Sequence, residues 1–213
     1  MFDIQRMILL APGILAALTV HEFSHGWAAY KLGDDTAKKM GRLTLNPIAH
    51  LDPIGTIMLF VFYFGWAKPV PVNPYNFRGN IRHGMIWVAL AGPLSNIVFA
   101  AVLGTAFRIL VATGALGNST FLISAFTFAI FINLMLAFFN LIPIPPLDGS
   151  KIVEGLLPVR YLPAWANFER YGFFILIGII MAGRFLHFPI FGLTILPMAR
   201  LFFYVFTGFN SPV

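Results

Sequence analysis

The sequence has no cysteine and few charged residues. Without cysteine, its 213 residues can form neither disulfide bonds nor thiolate metal sites. Only 10% of the residues are charged and 59% are hydrophobic, whereas an average soluble domain is about one-quarter charged. We therefore expect an integral membrane protein in contact with the lipid bilayer, with residues 1–213 forming one membrane-embedded domain.

Positive charge exceeds negative charge, and the net charge is +6. The lysines and arginines lie mainly in loops beside apolar segments, where the positive-inside rule places them on the cytoplasmic side of a membrane. Topology is therefore a sufficient reason for the charge, and no nucleic-acid partner is expected.

Long apolar runs predict an all-α polytopic membrane protein. A helix needs about 20 residues to cross a hydrocarbon core of about 30 Å, and three runs are long enough. They predict a three-helix core within about residues 5–157. About two further helices are expected within about residues 160–209, namely Tyr171–Gly183 and Phe188–Phe209, with Pro189 near their junction. The three long runs are Met7–Tyr30, Met85–Phe107 and Phe121–Ile142.

The apolar run Ile54–Trp66 is too short to span a membrane and suits a re-entrant segment. If this run crossed, the lysines and arginines outside the spans would divide six against seven between the two sides. If it dips into the membrane and returns, they divide ten against three. Only the second arrangement obeys the positive-inside rule. It places the N-terminus outside and the polar stretch Lys31–Arg82 in the cytoplasm.

Two pieces of that polar stretch are expected to be short extended strands on the cytoplasmic side. They are Arg42–Leu45 and Ala67–Pro74. The prolines of the second piece exclude a helix and leave an edge strand or a polyproline conformation. Pro69–Pro74 either offers a strand edge to an unwound peptide or forms a stiff surface loop, and the sequence leaves both alternatives open.

The first apolar run contains the motif His21-Glu22-Phe23-Ser24-His25. Residues four apart lie on one face of a helix, so the two imidazoles converge on one point. In H-E-x-x-H sites two histidines bind zinc and the glutamate acts as general base toward water. Ionisable side chains cost about 2.5–3.5 kcal/mol or more at bilayer depth, so chance occurrence is less frequent here than in a soluble chain. A polar network between helices is the alternative.

A catalytic zinc usually has three protein ligands and one open position. His25 lies about 9 Å, and His21 about 15 Å, below the cytoplasmic end of its helix. Asp148 follows the third core helix on the same side, after a proline-rich bend, and is the best third ligand by position. His187 belongs near the opposite side, and His50 and His83 have the surroundings of solvated loops. Asp52 is a further candidate.

The segments Gly41–Thr56 and Gly65–Pro74 resemble the compact prokaryotic branch, without PDZ or CBS domains, of the site-2 protease family. Three ordered motifs resemble this same family of intramembrane zinc metalloproteases. They are His21–His25, Ala91–Asn96, and the segment from Asn140 to Asp148-Gly149. The resemblance implies an enzyme with one zinc ion per chain, bound by His21, His25 and Asp148, with Glu22 as the catalytic base. It also implies that Asn140 contacts the substrate or the developing oxyanion. For Asn96, an interhelical hydrogen bond competes with such a contact.

The resemblance further implies cleavage of membrane-anchored protein substrates, as in regulated intramembrane proteolysis, in a prokaryotic cell membrane with the active site toward the cytoplasm. The rival hypothesis is a membrane zinc transporter or metal-binding protein. Transporters tend to place several ionisable residues along a path through their helices. The outer halves of the three long runs contain none, so the sequence favours the protease.

Overall fold

The computed structural model describes residues 4–62, 65–185 and 190–210. In these ranges the chain forms eight α-helices and three short 3-10 helices and contains no β-strand, so the all-α prediction is confirmed. The 3-10 helices are Pro47–His50, Pro74–Asn76 and Val159–Tyr161. The α-helices are α1 (Ile4–Lys31), α2 (Thr36–Lys39), α3 (Pro53–Phe62), α4 (Ile81–Ala112), α5 (Thr120–Asn140), α6 (Asp148–Leu156), α7 (Leu162–Phe185) and α8 (Ile190–Thr207).

Several of these helices have the length and composition of membrane spans. Three segments of the described residues are long and apolar enough to cross a bilayer, namely Ile81–Ala112, Thr120–Asn140 and Val159–Gly183. The apolar part of α8, Gly192–Thr207, is shorter. Helix α1 has 28 residues and is about 42 Å long. The predicted polytopic membrane protein is therefore confirmed.

Helices α1, α4 and α5 pack against one another, and α8 packs against α4 and α5. The apolar core between α4, α5 and α8 includes Phe107, Leu134 and Phe203, all nearly inaccessible. Gly104 brings α4 close to α8, because a Cβ atom at this position would lie 2.8 Å from Cβ of Phe206. In membranes the hydrophobic effect does not drive helices together, so they associate through close packing, which small residues allow.

Helix α7 begins earlier than the predicted span at Tyr171. Its first turns contain Glu169 and Arg170, which interrupt the apolar pattern. Glu169 is paired with Lys151 of α6, so the polar start of α7 is satisfied within the protein. Pro189, expected near the junction of the last two helices, and His187 lie outside the described residues.

The polar stretch between α1 and α4 starts and ends at the same end of the helix bundle. The amide of Arg78, just before α4, donates to the carbonyl of Leu32, just after α1, at 2.7 Å. Helix α3 has only ten residues, about 15 Å. An antiparallel bridge joins Leu51 to Ala67 on either side of it. This geometry agrees with a segment that enters the membrane and returns.

The expected extended strands do not form a ladder in the described residues. The isolated bridge between Leu51 and Ala67 is the only β-pairing there. In Ala67–Pro74 the physical reason lies in Pro69, Pro71 and Pro74, which have no amide hydrogen for further pairing. Arg42–Leu45 is bent at Leu43–Leu45 and forms no strand.

Candidate active site

The H-E-x-x-H motif lies in the C-terminal half of α1, and Asp148 is the first residue of α6. After α5 ends at Asn140, the chain turns through Pro143–Pro146 and starts α6 directly against the end of α5. Gly149 makes this contact possible, because a Cβ atom at its position would lie 2.3 Å from the carbonyl oxygen of Leu141. The turn thus brings Asp148 back toward α1, as the sequence predicts.

His21, His25 and Asp148 converge on one point. The Nε2 atoms of the two histidines are 3.0 Å apart. Oδ2 of Asp148 lies 3.1 Å from Nε2 of His21 and 3.3 Å from Nε2 of His25. Among the described residues, these three form the one group of histidine and acidic side chains close enough to share a metal ion.

Hydrogen bonds at the far side of each imidazole fix its orientation. Nδ1 of His21 lies 2.7 Å from Oδ1 of Asn96, and Nδ1 of His25 lies 2.7 Å from the carbonyl oxygen of Val88. Because the Val88 carbonyl accepts only, and Asn96 with this orientation also accepts, both Nδ1 atoms carry the hydrogen. Both Nε2 atoms then present lone pairs to the same point as the Asp148 carboxylate.

This donor set fits a zinc ion. Oδ2 of Asp148 is buried and has no hydrogen-bond partner among the described residues, so three lone pairs face one another without a donor. Ligands about 2.1 Å from a tetrahedral zinc lie about 3.4 Å from one another, close to the three separations given above. Neutral imidazoles and a carboxylate are ordinary zinc ligands.

Gly92 of α4 makes room for both imidazoles. A Cβ atom at this position would lie 2.4 Å from Nε2 of His25 and 2.7 Å from Cε1 of His21. The partners in this close packing are therefore the two histidines of the motif.

Asn96 belongs to a buried hydrogen-bond network between helices. Its side chain is fully buried, and its amide nitrogen donates to Ala17 at 2.9 Å and to Oδ1 of Asn133 at 2.8 Å. With Oδ1 directed at His21, the amide is engaged at both ends. These contacts favour the interhelical hydrogen bond for Asn96, and its suggested substrate contact stays a prediction. Asn133 was not singled out by sequence, although an amide in an apolar span is costly and signals a role.

Asn140 is the last residue of α5, and its amide nitrogen donates to the carbonyl of Leu136 at 3.0 Å. Its side chain is half-buried. The suggested contact with substrate stays a prediction.

Glu22 accepts a hydrogen bond from a loop that lies over α1. Its Oε2 atom lies 2.8 Å from the backbone nitrogen of Val70. We call residues Ala67–Asn73 the covering loop. It is held at its far end by the amide of Asn73, which donates to Oδ2 of Asp34 at 2.7 Å. The amides of Val70 and Asn73 are thus both engaged, and the prolines have no amide hydrogen. Within Pro69–Pro74 only the amide of Val72 remains as a further backbone donor, so this stretch is a tethered loop with little free strand edge.

The remaining candidate ligands have other roles. His50 is buried, with its Nε2 atom 2.8 Å from the carbonyl of Thr44, so its predicted exposure is wrong. His83 is exposed, as expected. Asp52 caps α3 by accepting from the amide of Gly55 at 2.8 Å. Neither histidine nor Asp52 belongs to the convergent group.

Comparison with known proteins gives a consistent result. Residues 103–183 match the model of peptidase family M50. Three relatives share the name "Putative zinc metalloprotease". YwhC of Bacillus subtilis is 44% identical over 180 residues, covering 82% of this chain and 80% of its own. Rip2 of Mycolicibacterium smegmatis is 30% identical, covering 82% and 67%. MJ0611 of Methanocaldococcus jannaschii is 45% identical, covering 72% and 73%.

No solved structure matches the chain significantly. The similarity to YwhC nevertheless extends over most of both chains, and the family match includes Asp148 and the whole of α5. The chain also has the H-E-x-x-H helix and the aspartate that converges on it. It therefore belongs to peptidase family M50, the site-2 protease family.

Proposed function

We propose that this protein is an intramembrane zinc endopeptidase that hydrolyses membrane-anchored proteins within or near the bilayer. The observation that carries the proposal is the convergence of His21, His25 and Asp148 within a bundle of apolar helices. Family membership supports the same activity.

One zinc ion per chain would be held by Nε2 of His21, Nε2 of His25 and the carboxylate of Asp148. Bound zinc supplies a Lewis acid that polarises the scissile carbonyl and activates water for attack. Asn96 and Val88 orient the imidazoles by accepting from Nδ1, which raises their basicity as ligands.

Glu22 is the proposed general base. It is rotated by about 100° from His21 around the helix, and therefore stands beside the ligands without joining them. Its carboxylate takes a proton from the attacking water and returns it to the amine leaving group. For Asn140 we propose a hydrogen bond to the substrate backbone or to the oxyanion that develops during attack.

The site is proposed to open to the cytoplasm of a prokaryotic cell, with the N-terminus outside. His25 and His21 lie about 9 and 15 Å from the end of α1, a depth that water can reach through a polar opening. A substrate helix must unwind there, since helical amides are shielded and already hydrogen-bonded.

A zinc transporter is less well supported. A transport path needs polar groups along the length of the helices. No ionisable residue occurs between Leu10 and Val20 of α1 or anywhere in α5.

The central test separates zinc binding from catalysis. Substrates are first identified from membrane-protein fragments that appear in cells with wild-type protein and are absent with Glu22→Gln. In proteoliposomes, Glu22→Gln is expected to retain zinc and to lose cleavage by about a thousandfold, within the usual contribution of a general acid–base group. Asp148→Asn is expected to lose both.

Glu154→Gln is the matched control, since Glu154 lies on α6 outside the site and is partly exposed. It should keep both zinc and cleavage. Unchanged cleavage by Glu22→Gln would exclude Glu22 as the base, and full zinc content in Asp148→Asn would exclude Asp148 as a ligand.

A further inference from the structure

Arg42 carries a charge that is almost fully buried, with 9% of the residue exposed. It forms no ion pair within the described residues, and its Nε atom has no hydrogen-bond partner there. Its NH2 group instead donates to two backbone carbonyls of the covering loop, Lys68 at 2.8 Å and Pro69 at 3.3 Å. A buried cation is costly unless its hydrogen bonds are good, so this arrangement calls for a functional reason.

The two carbonyls held by Arg42 come directly before the amide that contacts Glu22. Pro69 and Pro71 have no amide hydrogen, so Val70 has the single donor of this tripeptide. It donates to Oε2 of Glu22 at 2.8 Å, the one hydrogen bond that Glu22 accepts from the described chain. The position of this donor is therefore set by the residues that Arg42 holds.

The Val70 side chain fixes the same segment on the motif helix. Val70 is buried, and a Cβ atom at Gly26, next to His25, would lie 2.9 Å from its Cγ1 atom. The covering loop is thus seated on α1 at the motif itself, between the Arg42 anchor on one side and the Asp34 anchor on the other.

We propose that Arg42 is a positioning residue for catalysis. It holds the Lys68 and Pro69 carbonyls so that the Val70 amide binds one oxygen of Glu22 and leaves the other oxygen directed for proton transfer. The inference rests on the proposed role of Glu22 as base. A carboxylate without this anchor rotates about its side-chain bonds, and small misplacements of a catalytic group cost about a hundredfold in rate.

The first experiment uses the full-length, zinc-loaded protein in proteoliposomes. Arg42→Gln is expected to lower kcat about 10- to 100-fold, with KM within about twofold and zinc content unchanged. Arg42→Lys should recover part of the loss, because an ammonium can hold one carbonyl but lacks the planar fork of the guanidinium. Arg78→Gln is the control, since Arg78 is an exposed arginine in the same cytoplasmic stretch. It should behave as wild type.

A second measurement does not depend on catalysis. Hydrogen–deuterium exchange of peptides covering residues 67–73 should be faster in Arg42→Gln than in wild type, and unchanged in Arg78→Gln. If exchange is unchanged in Arg42→Gln, the positioning role is wrong even where Glu22→Gln is inactive. If exchange rises while Glu22→Gln keeps full activity, the anchor exists and the proposed base is wrong.

A double-mutant cycle tests whether Arg42 acts through the Val70 amide. Val70→Pro removes that amide hydrogen, and Val70→Ala keeps it while shortening the side chain. If both residues act on Glu22 through the same contact, the double variant Arg42→Gln/Val70→Pro should have about the same kcat as the less active of the two single variants. The proposal is overturned if the two losses of kcat multiply in the double variant, or if Val70→Ala lowers kcat as far as Val70→Pro. It is also overturned if Arg42→Gln has an unchanged kcat or loses zinc.

Discussion

The imidazoles of the candidate metal site depend on the absence of a side chain at Gly92. A Cβ atom at this position would overlap the rings of both His25 and His21. We expect Gly92→Ala to displace one or both rings, at a cost of about 1–3 kcal/mol typical of overpacking. Zinc content of the purified protein and its cleavage rate should both fall.

Gly178→Ala on α7 is the control, because a Cβ atom there meets nothing within 4 Å. In an exposed helix this change should be neutral or stabilising by up to about 1 kcal/mol. A Gly92→Ala protein with full zinc occupancy and normal cleavage would show that the histidines do not need this space.

Individual site residues differ in how far sequence could reveal them. His21, Glu22 and His25 are recognisable because helical spacing alone puts them together, and Asp148 because topology gives it the same depth. Gly92, Val70 and Arg42 could not be identified in their observed roles. Their contacts depend on how α4 crosses α1 and where the loop after α3 settles, and no local periodicity encodes either.

At the scale of the structural elements, the carboxylate of Asp34 holds the covering loop in place by accepting a hydrogen bond from the amide of Asn73. Burial alone would raise the pKa of this carboxyl group. Hydrogen bonds from the Thr36 hydroxyl, the Asn73 amide, the Asn76 side chain and the Thr36 amide outweigh burial and hold the pKa below its usual value. The ionised carboxylate therefore stabilises the folded loop.

A lowered pKa in the folded state gives the direction of the pH dependence. The stabilisation is complete above the unfolded-state pKa of about 3.9 and is lost as the pH falls through the lower folded-state value. Asp34→Asn should cost about 2 kcal/mol at pH 7, since hydrogen bonds to a charged group are lost. The difference in melting temperature from wild type should shrink as the pH approaches 3.

Asp35→Asn provides the comparison at the neighbouring position. Asp35 pairs with Lys39 at 2.8 Å, but both side chains are exposed, and such pairs contribute about 0–1 kcal/mol. A melting difference for Asp34→Asn that stays constant from pH 7 to pH 3 would contradict the assignment of the stabilisation to an ionised Asp34.

The apolar runs predicted the long helices well because burial in lipid requires continuous apolar sequence. The beginning of α7 was missed because charged residues such as Glu169 and Arg170 are typical of loops in a membrane protein. The ion pair between Glu169 and Lys151, which allows Glu169 to lie in a helix, is visible only in the structure. The expected strands failed for a different reason. No helix forms over residues 67–73, as inferred from the prolines, but Pro69 and Pro71 lack the amide hydrogen needed to pair.

The topology of the entire chain can be tested on a clean background, because the natural sequence contains no cysteine. Lys39 and Tyr75 are exposed on either side of α3, and Asn118 is exposed between α4 and α5. Single variants Lys39→Cys, Tyr75→Cys and Asn118→Cys can be labelled in intact cells with a thiol reagent that does not cross membranes.

We expect the reagent to label Asn118→Cys in intact cells, and Lys39→Cys and Tyr75→Cys only after the cells are opened. This follows from the proposed orientation, in which the positively charged loops lie in the cytoplasm, and from the contact between Leu32 and Arg78. Opposite accessibility of Lys39→Cys and Tyr75→Cys would mean that the α3 segment crosses the membrane.

The convergent ligands come from segments far apart in the chain, since α1 lies near its beginning and Asp148 follows the third long helix. An ion bound by all three closes a loop that contains most of the core. Closing so long a loop restricts the unfolded chain much as a covalent cross-link does, and binding to the folded state alone adds stability by mass action. In a protein that cannot form disulfides, the proposed catalytic metal would therefore also stabilise the fold as a cross-link between distant segments of the chain.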